Sequence, residues 1–229
     1  RAEENVLPDG DLIHTRRLPD VVLDAAIGGD DQLRQRMVLA LSEIMVVSNV
    51  GELNNYPLPI AHYADLLSEN AFGNFRDLME DVTYSPAMGV YLTYIANRKG
   101  DPATGRMPDE NYARELLQLF TIGLVELNMD GTPKLDGAGE PIEIFDNDDI
   151  TGLAKVFTGL SLNQNNFFSL GRRRSQYYEQ MKVFPEHHSD LEKAFLSITI
   201  PPNTGPEQSI DMALDEIFNH PNVAPFIGK

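Results

Sequence analysis

The residues best suited to chemistry lie in the stretch Pro108, Asp109, Glu110, Asn111, Tyr112, Ala113, Arg114, Glu115, Leu116, Leu117, Gln118, Leu119, Phe120. On a helix, Asn111, Arg114, Glu115 and Gln118 fall at i, i+3, i+4 and i+7 and form one polar stripe. Ala113, Leu116, Leu117 and Phe120 cover the other side. Glu110 and Arg114 add an i,i+4 pair. Turned outward, the stripe is a charged solvent face. Turned inward, it is a candidate catalytic set of Asn111, Arg114 and Glu115, with Glu115 as base or metal ligand and Arg114 as anion binder.

A second segment, from Phe184 to Lys193, carries the adjacent histidines His187 and His188. Neighbouring residues rarely both reach one ion, so at most one of them is expected to act. His188 joins the candidate catalytic set as a proton shuttle. Alternatively it joins Glu110 and Glu115 as a candidate metal set, which would suit zinc or another metal that favours imidazole. A surface loop histidine is the simpler alternative. A third segment, Glu126 to Gly131, resembles the first half of a calcium loop, but Gly137 stands where the bidentate glutamate belongs. An Asp130-Gly131 turn accounts for it better.

Several common fingerprints are missing: a phosphate-cradling Gly-Lys-Ser/Thr loop, a dinucleotide motif, a His-Glu-x-x-His pair and a Gly-x-Ser-x-Gly elbow. The cofactor, if there is one, is therefore unspecified. The sequence has 35 acidic and 18 basic residues, for a formal charge of −17. Such a field repels phosphate backbones, which argues against nucleic acid as a partner. Arg172, Arg173 and Arg174 form the one basic run, read as a solvated loop. With no cysteine, disulfides and thiolate sites are excluded. No apolar run approaches the roughly 20 residues of a transmembrane segment.

The elements that must hold these residues are mostly helical. Residues 1–19 read as an extended arm. A helix capped by Asp30 or Asp31 follows, with Leu33, Met37, Ala40, Leu41, Ile44 and Val47 on one face, widened by Val38, Leu39 and Met45; it is expected to be central and buried on most sides. Shorter helices carry Ile60, Tyr63, Ala64, Leu67 and Ala71, then Phe75, Leu78, Met79 and Val82, then Pro86 through Tyr94. Pro108 and Asp109 open the motif helix, which runs to about Ile122. Residues 125–145 read as a β-hairpin or ordered loop. Asp146 or Asn147 caps a helix that Gly159 stops. Residues 160–204 are irregular with possible short strands, and Pro206 opens an amphipathic helix broken at His220 and Pro221. The expected fold is mainly α, one helical domain over 1–229 with a small β-hairpin or ordered-loop excursion.

The motif residues Glu110 through Leu116, with Leu119 through Gly123, resemble the signature NENYARELMELFTLG of the bacterial family catalogued as domain of unknown function 1800. The resemblance continues at Asp148 to Ile150, Ala154 to Gly159, Arg36 to Ile44, Ala71 to Leu78, His188 to Leu196 and His220 to Lys229. Ser189 stands where many relatives have aspartate, and Leu160 where tryptophan is usual. The resemblance implies a mostly helical protein, often exported, hence an extracytoplasmic or periplasmic location. It implies relatives that continue past Lys229 and are often encoded beside a sulfatase-like family. Asn111, Arg114, Glu115 and His188 match its most recognisable polar positions. The expected function is a non-catalytic or accessory exported protein acting with a sulfatase-like partner. The alternative is a hydrolase-like enzyme with a Glu/His/Arg site, possibly metal-dependent.

Overall fold

The computed structural model describes residues 24, 26–48, 53, 57–168 and 179–228. The expected arm at 1–19 and the Arg172, Arg173, Arg174 run lie outside them. Helices carry most of the regular structure among the described residues, accompanied by two antiparallel two-stranded sheets. The chain divides into two compact units, Arg1–Tyr91 with Gly171–Gln180 and Leu92–Leu170 with Met181–Lys229.

The first unit holds helices α1 (Gln32–Ile44), α2 (Pro57–Glu69), α3 (Phe75–Thr83) and α4 (Pro86–Tyr91). Asp31 caps α1 by accepting the Arg34 amide, and Asn74 caps α3 by accepting the Arg76 amide, each satisfying an amide left free at a helix start. The α1 face that packs is Val38, Leu41 and Met45, and the Tyr63 hydroxyl on α2 donates to the Met45 carbonyl at 2.7 Å. Leu33 and Leu39 are 65% and 52% exposed, so α1 is not buried on most sides. Its contacts run along α2 alone among the helices it touches most, and one neighbour covers only one stripe. Leu78, Met79 and Val82 line the inner face of α3 as the 3.6-residue pattern requires. Helix α4 stops at Tyr91 rather than Tyr94, because the chain turns at Thr93 with φ of 62°, outside helical space.

The second unit positions the candidate residues. Helix α5 (Asn111–Glu115) passes directly into a wider π-helical turn, Leu116–Thr121. The Thr121 hydroxyl donates to the Leu116 carbonyl five residues back, supplying a bond that matches the wider turn. The excursion that follows is an ordered loop with isolated antiparallel bridges Val125↔Glu143, Leu127↔Pro133 and Leu135↔Pro141. At its tip the Asp130 carboxylate accepts the Thr132 amide and hydroxyl and Gly131 has φ of 78°. This is the Asp-Gly turn, not a calcium loop. Helix α6 (Asn147–Ala154) starts with a capping box, Asp146 and Asp149 each binding the other's backbone region.

Strands β1 (Leu160–Ser161) and β2 (Lys182–Val183) pair, as do β3 (Lys193–Phe195) and β4 (Ile198–Ile200). Helices α7 (Pro206–Phe218) and α8 (Val223–Ile227) close the unit. Helix α6 lies on β3 at backbone distance. A Cβ built on Gly152 would stand 1.8 Å from the Ala194 carbonyl oxygen, so only glycine permits this approach. The Asp149 carboxylate reinforces the contact by accepting the Leu196 amide at 2.6 Å.

Candidate functional site

Helix α5 is held at its start by a polar clasp. The Asn97 side chain accepts the Asp109 amide at 3.0 Å and donates to the Asp109 carbonyl at 3.3 Å. The Asp109 carboxylate in turn accepts the Asn111 amide and the Thr93 hydroxyl. Tyr112 is buried between Tyr94, stacked on it at 4.1 Å between centroids, and Phe157, edge-on at 4.8 Å. These rings fix the rotation of α5.

That rotation divides the sequence-derived residues. The Glu110 carboxylate accepts from Arg114 Nη2 at 3.2 Å and from the Thr151 hydroxyl at 2.9 Å. Glu110 and Arg114 thus use their charges to pin α5 to α6, half-exposed. An exposed pair of this kind stabilises by about 0.3–0.5 kcal/mol. Glu115 faces inward enough for its Oε2 to be buried, and that atom has no hydrogen-bond partner.

His188 is 4% exposed, so it is no surface loop residue. It is reached through the 158–159 turn. Gly159 has φ of 88° and lies so close to the His188 and Phe184 backbone that a Cβ would fall 2.9 Å from the Phe184 oxygen. The Thr158 carbonyl stands 2.9 Å from His188 Nδ1. A carbonyl only accepts, so Nδ1 carries the hydrogen and a neutral ring leaves Nε2 as a bare lone pair. Nε2 is buried without a partner. Burial pushes the His188 pKa from 6.5 to about 4; the Thr158 hydrogen bond opposes this, Lys193 and Lys99 add to the fall, and Glu207 resists it. The neighbouring Thr158 hydroxyl accepts the Ser189 amide at 2.8 Å and donates to the Lys155 carbonyl at 2.7 Å. His187 diverges from His188 and stacks on Phe167 at 4.0 Å.

Glu115 Oε2 and His188 Nε2 are the buried side-chain polar atoms without a partner among the described residues; neither bonds the other. The two residues sit on elements joined through Tyr112, one turn before Glu115, and Phe157, next to Thr158. Among the described residues no three His, Cys, Asp or Glu side chains gather closely enough to hold a metal ion, and Glu110, Glu115 and His188 are no exception. A separate cleft of about 380 Å³ is lined by Asp149, Ser197, Glu216, Asn219 and His220 with Ile144, Leu196 and Pro221. It contains none of the motif residues.

Three further residues lie within the stretches that resemble the family, although their types did not single them out. Thr158 holds His188, Asn222 ties the excursion down, and Lys193 is fully buried. Lys193 also alternates in phase with the buried Phe195 along β3.

The fold is that of a helix-rich protein in which one atom of the motif residue Glu115 and one of His188 are buried without hydrogen-bond partners. The chain belongs to the family described as Protein of unknown function (DUF1800), whose family profile matches residues 11–229. Comparisons with curated proteins and with solved structures give no match. No helix among the described residues is long and apolar enough to cross a membrane.

Proposed function

We propose that this chain is a non-catalytic, accessory exported protein that binds a hydroxyl-rich envelope polymer through Glu115 and His188, and that it works beside a sulfatase-like partner. The supporting observation is the pair of buried atoms Glu115 Oε2 and His188 Nε2, left without donors. A buried polar atom without a bond costs about 1–3 kcal/mol, so a protein that keeps two of them on its motif residues gains when a ligand supplies the missing hydrogens. Hydroxyl groups do so. Meanwhile Glu110 and Arg114 are occupied in holding α5 to α6, which leaves them structural. Affinity electrophoresis through gels containing envelope polysaccharide tests this. Retardation of the wild-type chain that is lost in Glu115→Ala and His188→Leu, both retaining native circular dichroism, supports the reading. Equal mobility of all three proteins overturns it. Co-purification with a sulfatase-like protein, if one is encoded beside it, tests the partner separately.

A hydrolase-like enzyme is the second reading, favoured by the Thr158 carbonyl, which orients His188 with a free lone pair, the arrangement of a general base. Turnover of chromogenic ester, phosphate or glycoside substrates that is abolished by His188→Leu would favour it over binding alone.

A further inference from the structure

Among the described residues Lys193 is the one Asp, Glu, Lys or Arg side chain that is buried, at 0% exposure, and it takes part in none of the ion pairs found there. A cation buried away from water needs an anion or a full set of hydrogen bonds. Lys193 has three N–H donors and uses one, to the Leu191 carbonyl at 3.2 Å. Two further ammonium groups reach the same segment from distant parts of the chain. Lys155 Nζ donates to the Glu192 carbonyl at 3.2 Å, and Lys99 Nζ meets the Asp190 carboxylate at 3.2 Å. Three cations therefore converge on residues 190–192 in a protein of net charge −17. The carboxylate bonded within the group, Asp190, is already taken by Lys99; the Glu192 side chain is exposed. Burial and the nearby Lys155 both lower the Lys193 pKa, as a missing counter-ion would, with Asp190 opposing them. His188, two residues before Asp190, is bonded to Thr158, whose hydroxyl donates to the Lys155 carbonyl, and it adds an acceptor with no donor, Nε2.

Spare donors and a spare acceptor converging on one segment of chain suit a ligand that has both. We propose that Lys155, Lys193 and His188, with Lys99 at the rim, bind a small oxyanion that carries a hydroxyl hydrogen, for which hydrogen phosphate is the simplest probe. The ammonium groups donate to its charged oxygens, and its hydroxyl donates to His188 Nε2. Sulfate matches the charge but has no hydrogen to give at neutral pH, so it binds less well.

The test is 31P line broadening of inorganic phosphate by the purified full chain at pH 7, with sulfate as competitor. Saturable broadening is expected, with phosphate preferred over sulfate. Lys193→Met and Lys155→Ala should each weaken it about tenfold or more, the loss of a charge-assisted hydrogen bond. His188→Leu should erase the preference for phosphate. Lys155 is partly exposed, so Lys155→Ala keeps the test intact if Lys193→Met does not fold. Absence of broadening by the wild-type chain, or equal broadening by Lys155→Ala, overturns the proposal. The site shares His188 with the polymer reading but not Glu115. Glu115→Ala should leave phosphate binding unchanged while abolishing polymer binding, so the two ideas fail separately.

Discussion

Lowering the pH from 7 to 4 should expose His188 as a specific weak point. Its pKa falls from 6.5 in the unfolded chain to about 4 in the native protein, chiefly because the ring is buried. Between those values the unfolded chain binds a proton that the native state refuses, so stability falls as pH falls. The contribution is fully present above pH 6.5. Linkage puts the loss from this one residue at about 2 kcal/mol by pH 5 and about 3 kcal/mol by pH 4. Urea unfolding of the wild type and of His188→Leu at pH 7, 6, 5 and 4 measures it directly, provided the slope against urea stays constant. The variant starts less stable, because it loses the Thr158 bond, but its curve should be flatter across this window. His220, also lowered by burial, titrates in both proteins and cancels from the difference. So do Asp101, Asp130, Asp136 and Asp190, whose lowered values come first from a hydrogen bond in each case and whose contributions fade lower still. Parallel curves for the two proteins would refute the reasoning and place His188 in water.

Further expectations follow from other contacts. Gly152→Ala drives a methyl group into the Ala194 carbonyl and should destabilise the chain by about 1–3 kcal/mol, or more if α6 cannot move away from β3; thermal unfolding reads this. Thr158→Val removes the acceptor of the Ser189 amide and the donor to the Lys155 carbonyl, and leaving such groups buried should cost about 1–3 kcal/mol each. Asp146→Ala removes the α6 capping box and should cost about 1 kcal/mol by denaturant titration. Asn222→Ala should speed hydrogen exchange of the Leu127 amide, which donates to the Asn222 side-chain Oδ1 at 2.7 Å, without altering exchange in α6.

Local rules made much of this fold readable. Asp31, Asp146 and Pro206 mark helix starts because a capping oxygen or a missing amide hydrogen acts within one turn. The inner face of α3 and the apolar side of the motif helix follow from spacing alone. What spacing does not carry is which neighbour covers a face. For that reason α1, apolar over most of its circumference, was expected at the centre and instead leaves Leu33 and Leu39 in solvent. The π-helical turn was also invisible, since Leu116 to Thr121 satisfies an ordinary helical pattern equally well. For the site, residue type selected Glu115, whose Oε2 is buried and unpartnered, and the buried His188, whose Nε2 is unpartnered. It also selected Glu110 and Arg114, which pair with each other while Glu110 accepts from Thr151, a partner 41 positions away that no local pattern indicates. Lys193 went unread because lysine is normally placed at the surface, and only its phase along β3 contradicts that habit.

Asn222 ties the excursion to a segment made almost a hundred residues later. Its side chain accepts the Leu127 amide and donates to the carbonyls of Ile122, at 2.7 Å, and Val125, at 3.0 Å, across 95 to 100 residues of sequence. On the ribosome, at about 5–20 residues per second, those groups wait some 5–20 seconds for their partner to be made. During that interval the segment after the motif helix has backbone groups bonded only to water, while α5 and α6 are already available to associate. The excursion is therefore clasped from behind by a single amide made long after it, and nascent chains stalled before residue 222 should display the excursion as their most protease-sensitive stretch.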